Sequence, residues 1–501
     1  MAGEVYKRRG IKPVLLCTTE KDAGYYRSQI AADVPAEVLV LPDRYSLIQA
    51  PEKLPSLQES MVALQKFERD TGYLFVRDML LPDRQFARSF LVGADKIAKS
   101  KSTARATPEL IWRVGGVLAD FARRLAETHP PALFVCLTGG TGMATRPLTA
   151  ATRLAGGQMR NLVHTRFGYR YYWAEDEKHN AAYLRDLLSS LPMPADEEVE
   201  RVKQALRPTG DFEFYVSRMR SQRRLDRMAI HMARNVWKHI RYHVSRSRKA
   251  KIGYYMMGEL GMIMNARRQA RFLVSDACTR LADLPEDKRT VFFPLQVEPE
   301  ISLHALVPDY FDQLNSVGRI AMNLPADTLL LVKEHPAQIG RRGKEFYDRI
   351  LAFPNVRLIS ETEHSYPIIR RSDLIIAVTS SAAHEAAVMG RKVVYLHQSG
   401  ILDHLPHVKY LPPEKGFAAL SGLLNDEGQW PSEEDRIRFG VRYYAGLEQH
   451  ALDFAQIGTD IFNRNREVKE SEVAMIVDSL EASLQDDNLA ELSEYQRTSA
   501  S

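Results

Sequence analysis

The sequence has few cysteines, and none lies in a pattern that would place the chain among disulfide-stabilised or metal-binding proteins. Its 501 residues contain 3 cysteines, at Cys17, Cys136 and Cys278. This odd number at isolated positions forms no disulfide framework and no zinc-site spacing. Two of them lie inside apolar, strand-like runs, so we expect buried free thiols in a reducing compartment.

Long apolar runs are also missing. No run reaches the roughly eighteen apolar residues that a membrane-spanning helix needs. The first ten residues are polar and show no apolar core of a secretory signal. A hydrophobic content of 45% and a charged content of 26% are typical of a packed globular protein. We therefore expect a cytoplasmic protein whose length predicts two or three domains.

Short apolar runs alternate with helical patterns along most of the chain, which predicts parallel sheets wrapped by helices. The predicted strands are 13–19, 37–41, 132–137, 161–165, 290–296, 328–335, 355–360, 373–380 and 392–397. The predicted helices include 108–128, 309–323, 343–353, 365–371 and 382–389. The sequence thus predicts an α/β protein with two doubly wound, Rossmann-like domains that face each other across a cleft.

Changes in pattern and charge divide the chain into four predicted segments. Residues 1–200 and 286–448 carry the two α/β patterns, and residues 201–285 form a basic helical insert between them. Residues 449–501 contain helices and an acidic, polar tail. Ligands of open parallel sheets bind beyond the carboxyl ends of the strands, so polar residues at those ends are the candidate site residues.

The insert contains a strongly basic stretch at 218–251. It holds twelve Lys or Arg residues and one acid, Asp226. Apolar residues recur at helical spacing within it: Leu225, Met228, Met232, Val236, Ile240 and Val244, with Trp237 beside them. Either this amphipathic helix packs on the protein with a solvated basic face, or it contacts an anionic membrane surface or a polyanionic substrate. No nucleic-acid-binding motif accompanies it, so we expect no nucleic-acid partner.

The first candidate site lies at the end of an apolar strand, where the sequence reads Lys333-Glu-His335-Pro336. Pro336 fixes the backbone of the turn. An imidazole at a strand end can donate a hydrogen bond to a phosphate oxygen and stabilise a departing nucleotide. The alternative is an ordinary polar histidine.

The second candidate site is the run of hydroxyl residues Thr379, Ser380 and Ser381, between an apolar strand and a helix. Hydroxyls and free backbone N–H groups at a helix N-terminus can bind an anion. Ser capping of an ordinary helix is the simpler interpretation, and it is compatible with phosphate binding. Glu385, one turn into the helix, could reach ribose hydroxyls, and Gly390 is predicted to end the helix.

Two further groups of polar residues follow strands. Gln296, Glu298 and Glu300 come after the first strand of the C-terminal half, where a carboxylate could act as a base or orient an acceptor hydroxyl. Exposed loop acids without such a role are common.

In the N-terminal half, a glycine-rich turn follows a strand and contains Gly139, Gly140 and Gly142. No Gly-Lys-Ser/Thr follows, so this turn is not a P-loop. Either it is a tight strand-to-helix turn or its backbone approaches a ligand. The acidic group at 175–177 is predicted to be a charge cluster at a helix N-terminus and not a metal site.

The order of these motifs resembles that of the bacterial capsule polysaccharide biosynthesis proteins, which include Kdo transferases. The motifs are Pro-Leu-Gln-x-Glu-Pro-Glu at 294–300, Asp-Tyr-Phe-Asp-Gln at 309–313, Val-Lys-Glu-His-Pro at 332–336, Pro-Asn-Val-Arg-Leu-Ile at 354–359 and Ser-Ser-x-x-x-Glu-Ala at 380–386. A stretch at 166–173 is also similar to the N-terminal domain of such proteins. The resemblance covers residues 130–180 and, more strongly, 288–400.

The resemblance implies a GT-B glycosyltransferase that needs no metal and no cofactor. It implies that residues 286–448 bind a nucleotide sugar, with CMP-Kdo or another CMP-linked acidic sugar favoured, and that residues 1–200 face the acceptor. The family's nucleotide-phosphate ligands map onto His335, Pro336, Ser380 and Ser381. From the residues themselves we add Lys333, Thr379 and Glu385 as nucleotide-binding candidates and Glu298 or Glu300 as the base or acceptor-orienting group. Gln296, Gly139, Gly140 and Gly142 are the candidates on the acceptor side.

The implied acceptor is a capsular or surface glycan or a glycolipid, with the basic helix near the inner face of the cell membrane. The sequence departs from the family pattern at Gly390-Arg-Lys392, where relatives commonly have Gly-Lys-Pro. Three alternatives remain: a polymer phosphotransferase that uses CDP-glycerol, a nucleotide-sugar epimerase, and a non-catalytic scaffold for capsule export or assembly.

Overall fold

A computed structural model describes residues 1–84, 86, 106–130, 133–137, 142–206, 224–244, 256–298, 300–454 and 469–484. The chain forms two compact units. The first comprises Met1–Pro82, Ala106–Ser190 and Gly446–Ser501, and the second comprises Asp83–Arg105 and Leu191–Ala445. These units are not consecutive in sequence: the C-terminal segment belongs to the first unit, and the basic insert belongs to the second.

The strands of the first unit form two sheets, with strands numbered in chain order. Strands β1 (Val14–Cys17) and β2 (Glu37–Val40) pair in parallel. The second sheet has the order β12-β5-β4-β3, with bounds β3 Leu133–Cys136, β4 Gln158–His164, β5 Arg170–Ala174 and β12 Leu452–Asp453. Its β3 and β4 are parallel, whereas β5 runs antiparallel to β4 and β12.

The four strands predicted in the N-terminal half are therefore confirmed in place, but the first unit is not a wholly parallel, doubly wound sheet. The reason is the link between β4 and β5. Only residues 165–169 connect them, and a parallel crossover needs a dozen or more residues.

Two helices of the first unit begin at clear side-chain caps. Ser56 and Glu59 form a reciprocal capping box, and Thr107 accepts the backbone N–H of Leu110 ahead of a proline. Gly116 allows two helices to touch, since a Cβ there would lie 2.7 Å from Cα of Ser60. The helices are α1 Ala2–Arg9, α2 Glu20–Gln29, α3 Arg44–Gln49, α4 Leu57–Thr71, α5 Pro108–Thr128, α6 Arg146–Leu154, α7 Ala182–Ser190 and α18 Glu470–Ser483.

The second unit contains a six-stranded, fully parallel sheet. Its strands are β6 Arg289–Pro294, β7 Thr328–Lys333, β8 Val356–Ile359, β9 Leu374–Ala377, β10 Val393–Tyr395 and β11 Val408–Tyr410. The spatial order is β8-β7-β6-β9-β10-β11. Numbered from β6 as the first strand, this is the order 3-2-1-4-5-6 of a doubly wound dinucleotide-binding sheet. The predicted parallel α/β architecture is confirmed here.

Helices precede and follow the strands of this sheet along the chain. They are α8 Asp196–Ala205, α9 Leu225–Val244, α10 Met256–Phe272, α11 Ile301–His304, α12 Gln313–Met322, α13 Lys344–Leu351, α14 Ser365–Arg371, α15 Ser381–Val388, α16 Leu420–Asn425 and α17 Glu433–His450. The prediction of a single helix at 309–323 was wrong at the N-terminal end. A 3-10 turn covers Pro308–Tyr310, and α12 begins afresh because Asp312 caps it, accepting the backbone N–H of Asn315.

The core of the second unit explains why its strands were easy to predict. All residues of β7 and β9 are buried, and β6 contributes Val291, Phe292 and Phe293. Strands covered on both faces are continuous apolar runs. Burial of apolar side chains contributes about 25 cal/mol per Å² removed from water. As predicted, α15 ends just before Gly390, which has a φ of 68°.

Of the basic stretch at 218–251, the structure describes residues 224–244, and Leu225–Val244 form α9. The other residues of that stretch, 218–223 and 245–251, lie outside the described residues. Across the described chain, none of the helices combines the length and apolar character that a bilayer crossing requires.

Candidate functional site

The candidate site lies at the carboxyl edge of the six-stranded sheet. The strand order reverses between β6 and β9, and ligands of doubly wound sheets bind at this switch point. Gln296 follows β6, and Thr379 follows β9. The hydroxyl of Thr379 donates to Oε1 of Gln296 across a distance of 3.5 Å. Two motifs 83 positions apart therefore meet at the switch point.

His335 follows the neighbouring strand, β7. Its Nδ1 accepts the backbone N–H of Ala337 at 3.1 Å. The pKa of the imidazole is lowered to about 4, first by burial and then by the positive charges of Lys333, Arg342 and Arg341. The ring is therefore neutral at pH 7, and with Nδ1 accepting, Nε2 carries the proton. His335 is thus a fixed hydrogen-bond donor at the sheet edge.

Lys333, the last residue of β7, has a partner inside the protein. Its Nζ lies 2.9 Å from Oε2 of Glu361, and both side chains are buried. Burial raises the pKa of the Glu361 carboxyl to about 7, and the adjacent Lys333 limits that rise. The sequence predicts that Lys333 contacts a phosphate. For this contact the ammonium group would have to bind the phosphate together with Glu361, or leave Glu361 and bind the phosphate instead.

The hydroxyl residues after β9 lie at the start of α15. The Oγ of Ser380 accepts the backbone N–H of Ala382 at 3.1 Å and caps the helix, while Ser381 is exposed. The partial positive charge of a helix N-terminus favours an anion at this point. Further along, burial raises the pKa of the partly buried Glu385 to about 7, and a hydrogen bond from Ser381 opposes that rise.

The two candidate carboxylates after β6 have different surroundings. Glu298 is only 2% exposed and lies 3.3 Å from Arg342. It also accepts a hydrogen bond from Gln313, and its own backbone N–H donates to Gln338 at 2.8 Å. These contacts indicate that Glu298 positions the segment that follows β6. Desolvation by burial raises the pKa of Glu298, and the charge of Arg342 opposes that rise.

Glu300 is more accessible than Glu298. Its carboxylate lies 3.8 Å from Arg84, and both side chains are partly exposed. An ion pair of that length and exposure contributes at most about 1 kcal/mol. Glu300 is therefore the carboxylate of the two that can contact a ligand from solvent.

A buried network that the sequence did not reveal supports the segments after β6 and β7. The guanidinium of Arg342 is fully buried and contacts the carboxylate of Glu334 at 3.0 Å and 3.2 Å. It also donates to the backbone oxygen of Gln296 at 3.0 Å. Tyr347 donates to Glu334 at 2.6 Å and in turn accepts a hydrogen bond from Gln269 of α10. The segments after β6 and β7 are thereby held by one cluster.

Of the three glycines predicted to lie on the acceptor side, Gly139 and Gly140 lie outside the described residues. The backbone N–H of Gly142 donates to Oγ1 of Thr145 at 3.0 Å, just before α6. This contact forms a compact strand-to-helix turn.

Of the acidic group at 175–177, Glu175 lies at the N-terminus of α7, as predicted, because its carboxylate accepts the backbone N–H of Tyr183 at 3.4 Å. Glu177 is instead buried and paired with Arg153 at 2.7 Å and Arg146 at 3.5 Å. Within the described ranges, no cluster of three or more His, Cys, Asp or Glu side chains is arranged to hold a metal ion.

Comparisons with known proteins bear on this site. Residues 216–399 match the family model described as "Capsule polysaccharide biosynthesis protein". A comparison with curated protein sequences finds no match. The matched segment contains β6 to β10 and every candidate residue of the second unit.

Solved structures that match the chain include two described as Thermosulfurimonas dismutans KpsC. The β-Kdo 2,7 transferase is 11% identical, with 64% of this chain and 79% of that chain covered and a TM-score of 0.28. The β-Kdo 2,4 transferase is 12% identical, with 62% and 78% covered and a TM-score of 0.31.

A Neisseria meningitidis UDP-GlcNAc 2-epimerase is 11% identical, with 88% of this chain and 99% of that chain covered and a TM-score of 0.26. Similarity at this level says nothing about the substrate of this chain. The family match, by contrast, coincides with the motifs of the second unit, and over residues 216–399 the resemblance to the capsule polysaccharide biosynthesis proteins is confirmed.

Proposed function

We propose that the chain is a glycosyltransferase that moves a sugar from a nucleotide donor to a glycan or glycolipid acceptor during capsule synthesis. The observation that carries this proposal is the convergence of Gln296, His335 and Thr379 at the carboxyl edge of a 3-2-1-4-5-6 parallel sheet. Such an edge binds nucleotides at the point where the strand order reverses. A CMP-linked acidic sugar such as CMP-Kdo is the donor that we favour.

The donor phosphate would lie between the start of α15 and His335. Ser381 and the N-terminus of α15 would hold its oxygens, and Nε2–H of His335 would donate to the oxygen that leaves with the nucleotide. This oxygen gains negative charge as its bond to the sugar breaks, so a fixed donor aimed at it lowers the barrier. Glu385 would accept a hydrogen bond from a ribose hydroxyl.

The acceptor hydroxyl forms the new bond to the sugar and loses a proton. Glu300 is the proposed base, because its carboxylate is partly exposed to solvent. Within the described residues, the ion pair that it forms is the one with Arg84. Glu298 would position the loop from within, through Arg342 and Gln313. The nucleotide phosphate departs with the electrons of the broken bond, and no phosphorus–oxygen bond is cleaved.

We further propose that α9 attaches the protein to an anionic membrane surface. Along this helix, Leu225 and Trp237 are 60% and 65% exposed, and Ile230, Val236 and Ile240 are also exposed. Exposed basic side chains, including Arg227 and Arg234, accompany them. A helix with apolar and basic residues both open to solvent binds the headgroup region of anionic bilayers.

Product analysis tests the transfer reaction. The whole protein is incubated with CMP-Kdo and capsule glycolipid, and the products are examined by mass spectrometry. We expect release of CMP and an acceptor heavier by one sugar without added phosphorus. Phosphorus in the lengthened acceptor after incubation with CDP-glycerol would instead indicate a polymer phosphotransferase. An epimerised sugar without acceptor would indicate an epimerase.

A further inference from the structure

The turn between β4 and β5 in the first unit holds an arginine in an unfavourable backbone conformation. Arg166 has a φ of 77°, in the left-handed region that favours glycine. Gly168, two residues later, has a φ of 58°, which glycine adopts without a steric penalty because it has no Cβ. A non-glycine residue held there by its surroundings is a reason to look for a function of its side chain.

The surroundings of Arg166 fix its position. The imidazole of His164 accepts the backbone N–H of Arg166 at Nδ1, 3.0 Å away, and donates from Nε2 to the backbone oxygen of Gly168 at 2.8 Å. Burial lowers the pKa of His164, so the ring is neutral, as these two opposite contacts require. The hydroxyl of Thr165 adds a contact to the backbone N–H of Phe167 at 3.3 Å.

The guanidinium of Arg166 differs from those around it in the first unit. Arg146 and Arg153 contact Glu177, and Arg170 lies 3.6 Å from Glu448. Within the described part of the chain, Arg166 has no carboxylate within ion-pair distance. Its side chain is nevertheless partly buried, so the loss of water is not balanced by an internal anion.

The turn also lies where ligands bind in sheets with parallel strands. Strands β3 and β4 are parallel, so their carboxyl ends lie at one edge. The end of β4 leads into the Arg166 turn, and the end of β3 leads towards Gly142 and α6. Three residues after Arg166, Tyr169 is 52% exposed and offers an aromatic face on which a sugar ring could stack.

We propose that Arg166 binds an anionic group, a carboxylate or a phosphate, of the glycan acceptor. This proposal rests on the proposed function, which supplies the acceptor. It adds a binding residue in the first unit and a chemical class of acceptor, one that carries negative charge near the hydroxyl that receives the sugar. A guanidinium pairs with both carboxylate and phosphate groups through two parallel hydrogen bonds.

The substitution Arg166→Gly separates backbone cost from side-chain function. Glycine accepts the left-handed conformation, so we expect the variant to melt at least as high as the wild-type protein, with a gain of about 2 °C. At the same time it should lose anion binding. His179→Gly is the matched control, because His179 is the other described non-glycine residue with a positive φ, at 68°. It should keep anion binding.

Anion binding is measured as the shift in melting temperature produced by sodium glucuronate, by inorganic phosphate and by neutral glucose, at constant ionic strength. We expect wild type and His179→Gly to shift with an anion more than Arg166→Gly does, and none of the three proteins to shift with glucose. Any phosphate shift that Arg166→Gly keeps is assigned to the nucleotide site of the second unit. A difference from Arg166→Gly with glucuronate alone identifies a carboxylate, and a difference with phosphate alone identifies a phosphate. No anion shift in the wild type, or an equal shift in Arg166→Gly, would overturn the proposal.

The failure of this proposal is distinguishable from the failure of the proposed function. The anion assay contains no nucleotide, and it compares proteins with the same nucleotide site, so the difference between wild type and Arg166→Gly does not depend on donor binding. If transfer to a capsule glycolipid is observed, Arg166→Gly should raise KM for the acceptor by about 10-fold or more, as loss of a charged hydrogen bond predicts. The KM for the donor should stay unchanged. Equal acceptor KM values in variant and wild type would contradict the proposal while leaving the transferase intact.

Discussion

The guanidinium of Arg342 lies 3.0 Å from the carboxylate of Glu334, and both side chains are completely buried in the second unit. The same carboxylate accepts the backbone N–H of His335 at 2.7 Å. Arg342 thus reaches the histidine of the Lys-Glu-His-Pro motif through one intermediate group. Since Arg342 also contacts Glu298, it connects the turn after β7 to the segment after β6.

Removal of Arg342 should destabilise the protein strongly. Arg342→Met leaves two buried carboxylates without their counter-ion, which typically costs about 3–5 kcal/mol. Arg289→Met is the control: it breaks a partly exposed ion pair with Asp327 at the opposite end of the same sheet, and we expect a loss of about 1 kcal/mol. Urea unfolding measures both. Equal losses in the two variants would contradict the role given to the buried cluster.

A milder substitution tests whether this cluster positions the site. Tyr347→Phe removes the hydrogen bond to Glu334 and keeps the ring in the core. We expect the affinity for CMP to fall several-fold in this variant at a temperature where it is fully folded. An unchanged affinity would show that the cluster stabilises the unit without positioning His335.

The neutral state of His335 predicts a loss of stability in acid. Its pKa is about 4 in the folded protein and 6.5 in the unfolded chain. The folded state therefore favours the neutral ring. This contribution is present in full above pH 6.5 and is lost as the pH falls towards 4, with a total of up to about 3 kcal/mol.

Urea unfolding between pH 4 and pH 7 measures this effect. His335→Gln should lose less stability over that range than the wild-type protein. His407, whose pKa burial also lowers to about 4, provides the comparison, because His407→Gln should remove a separate part of the acid sensitivity. If His335→Gln followed the wild-type profile, the neutral imidazole would be refuted.

Glu385 should make nucleotide binding depend on pH near neutrality. Burial raises the pKa of its carboxyl to about 7, so only part of the protein carries an ionised Glu385 at that pH. If the carboxylate accepts a hydrogen bond from ribose, CMP affinity should increase from pH 6 to pH 8. Calorimetry of wild type and Glu385→Gln separates this from phosphate titration, since the phosphate titrates alike in both. Parallel profiles would exclude the contact with ribose.

Membrane attachment through α9 should depend on its exposed apolar side chains. Trp237→Ser with Leu225→Ser should weaken binding to vesicles that contain phosphatidylglycerol by at least 10-fold, because each side chain would lose its apolar contact with lipid. Met322→Ser is the control, since Met322 is 69% exposed on α12. Sedimentation with vesicles provides the measurement. Equal binding by the double variant and the control would contradict the proposal.

The second unit shows how much of this fold could be predicted from sequence. Buried strands such as Thr328–Lys333 are continuous apolar runs, and they were predicted in place. The alternation of strands and helices also predicted the parallel sheet. The contact between Gln296 and Thr379 was not predicted, because Gln296 was assigned to the acceptor side. The short strand Val408–Tyr410 was missed, because three residues carry too little pattern.

Other features depend on contacts that no local pattern encodes. Arg342 follows another arginine and reads as a surface residue, yet it is fully buried because Glu298 and Glu334 converge on it. Glu298 was predicted from its position after a strand, and its burial became visible only with Arg342 in place. The return of Glu470–Ser483 to the first unit likewise depends on distant partners, including a contact between Arg8 and Asp478 at 2.5 Å.

Nucleotide binding by the wild-type protein and by His335→Ala tests the central proposal most directly. Calorimetry or thermal shift with CMP, CDP, UDP and GDP should show a selective increase in stability with the cytidine nucleotides. The affinity should fall by about 10-fold or more in His335→Ala, with the loss of one hydrogen bond to a charged phosphate. Absence of a shift with all four nucleotides, or equal binding by His335→Ala, would contradict a nucleotide site at this edge of the sheet.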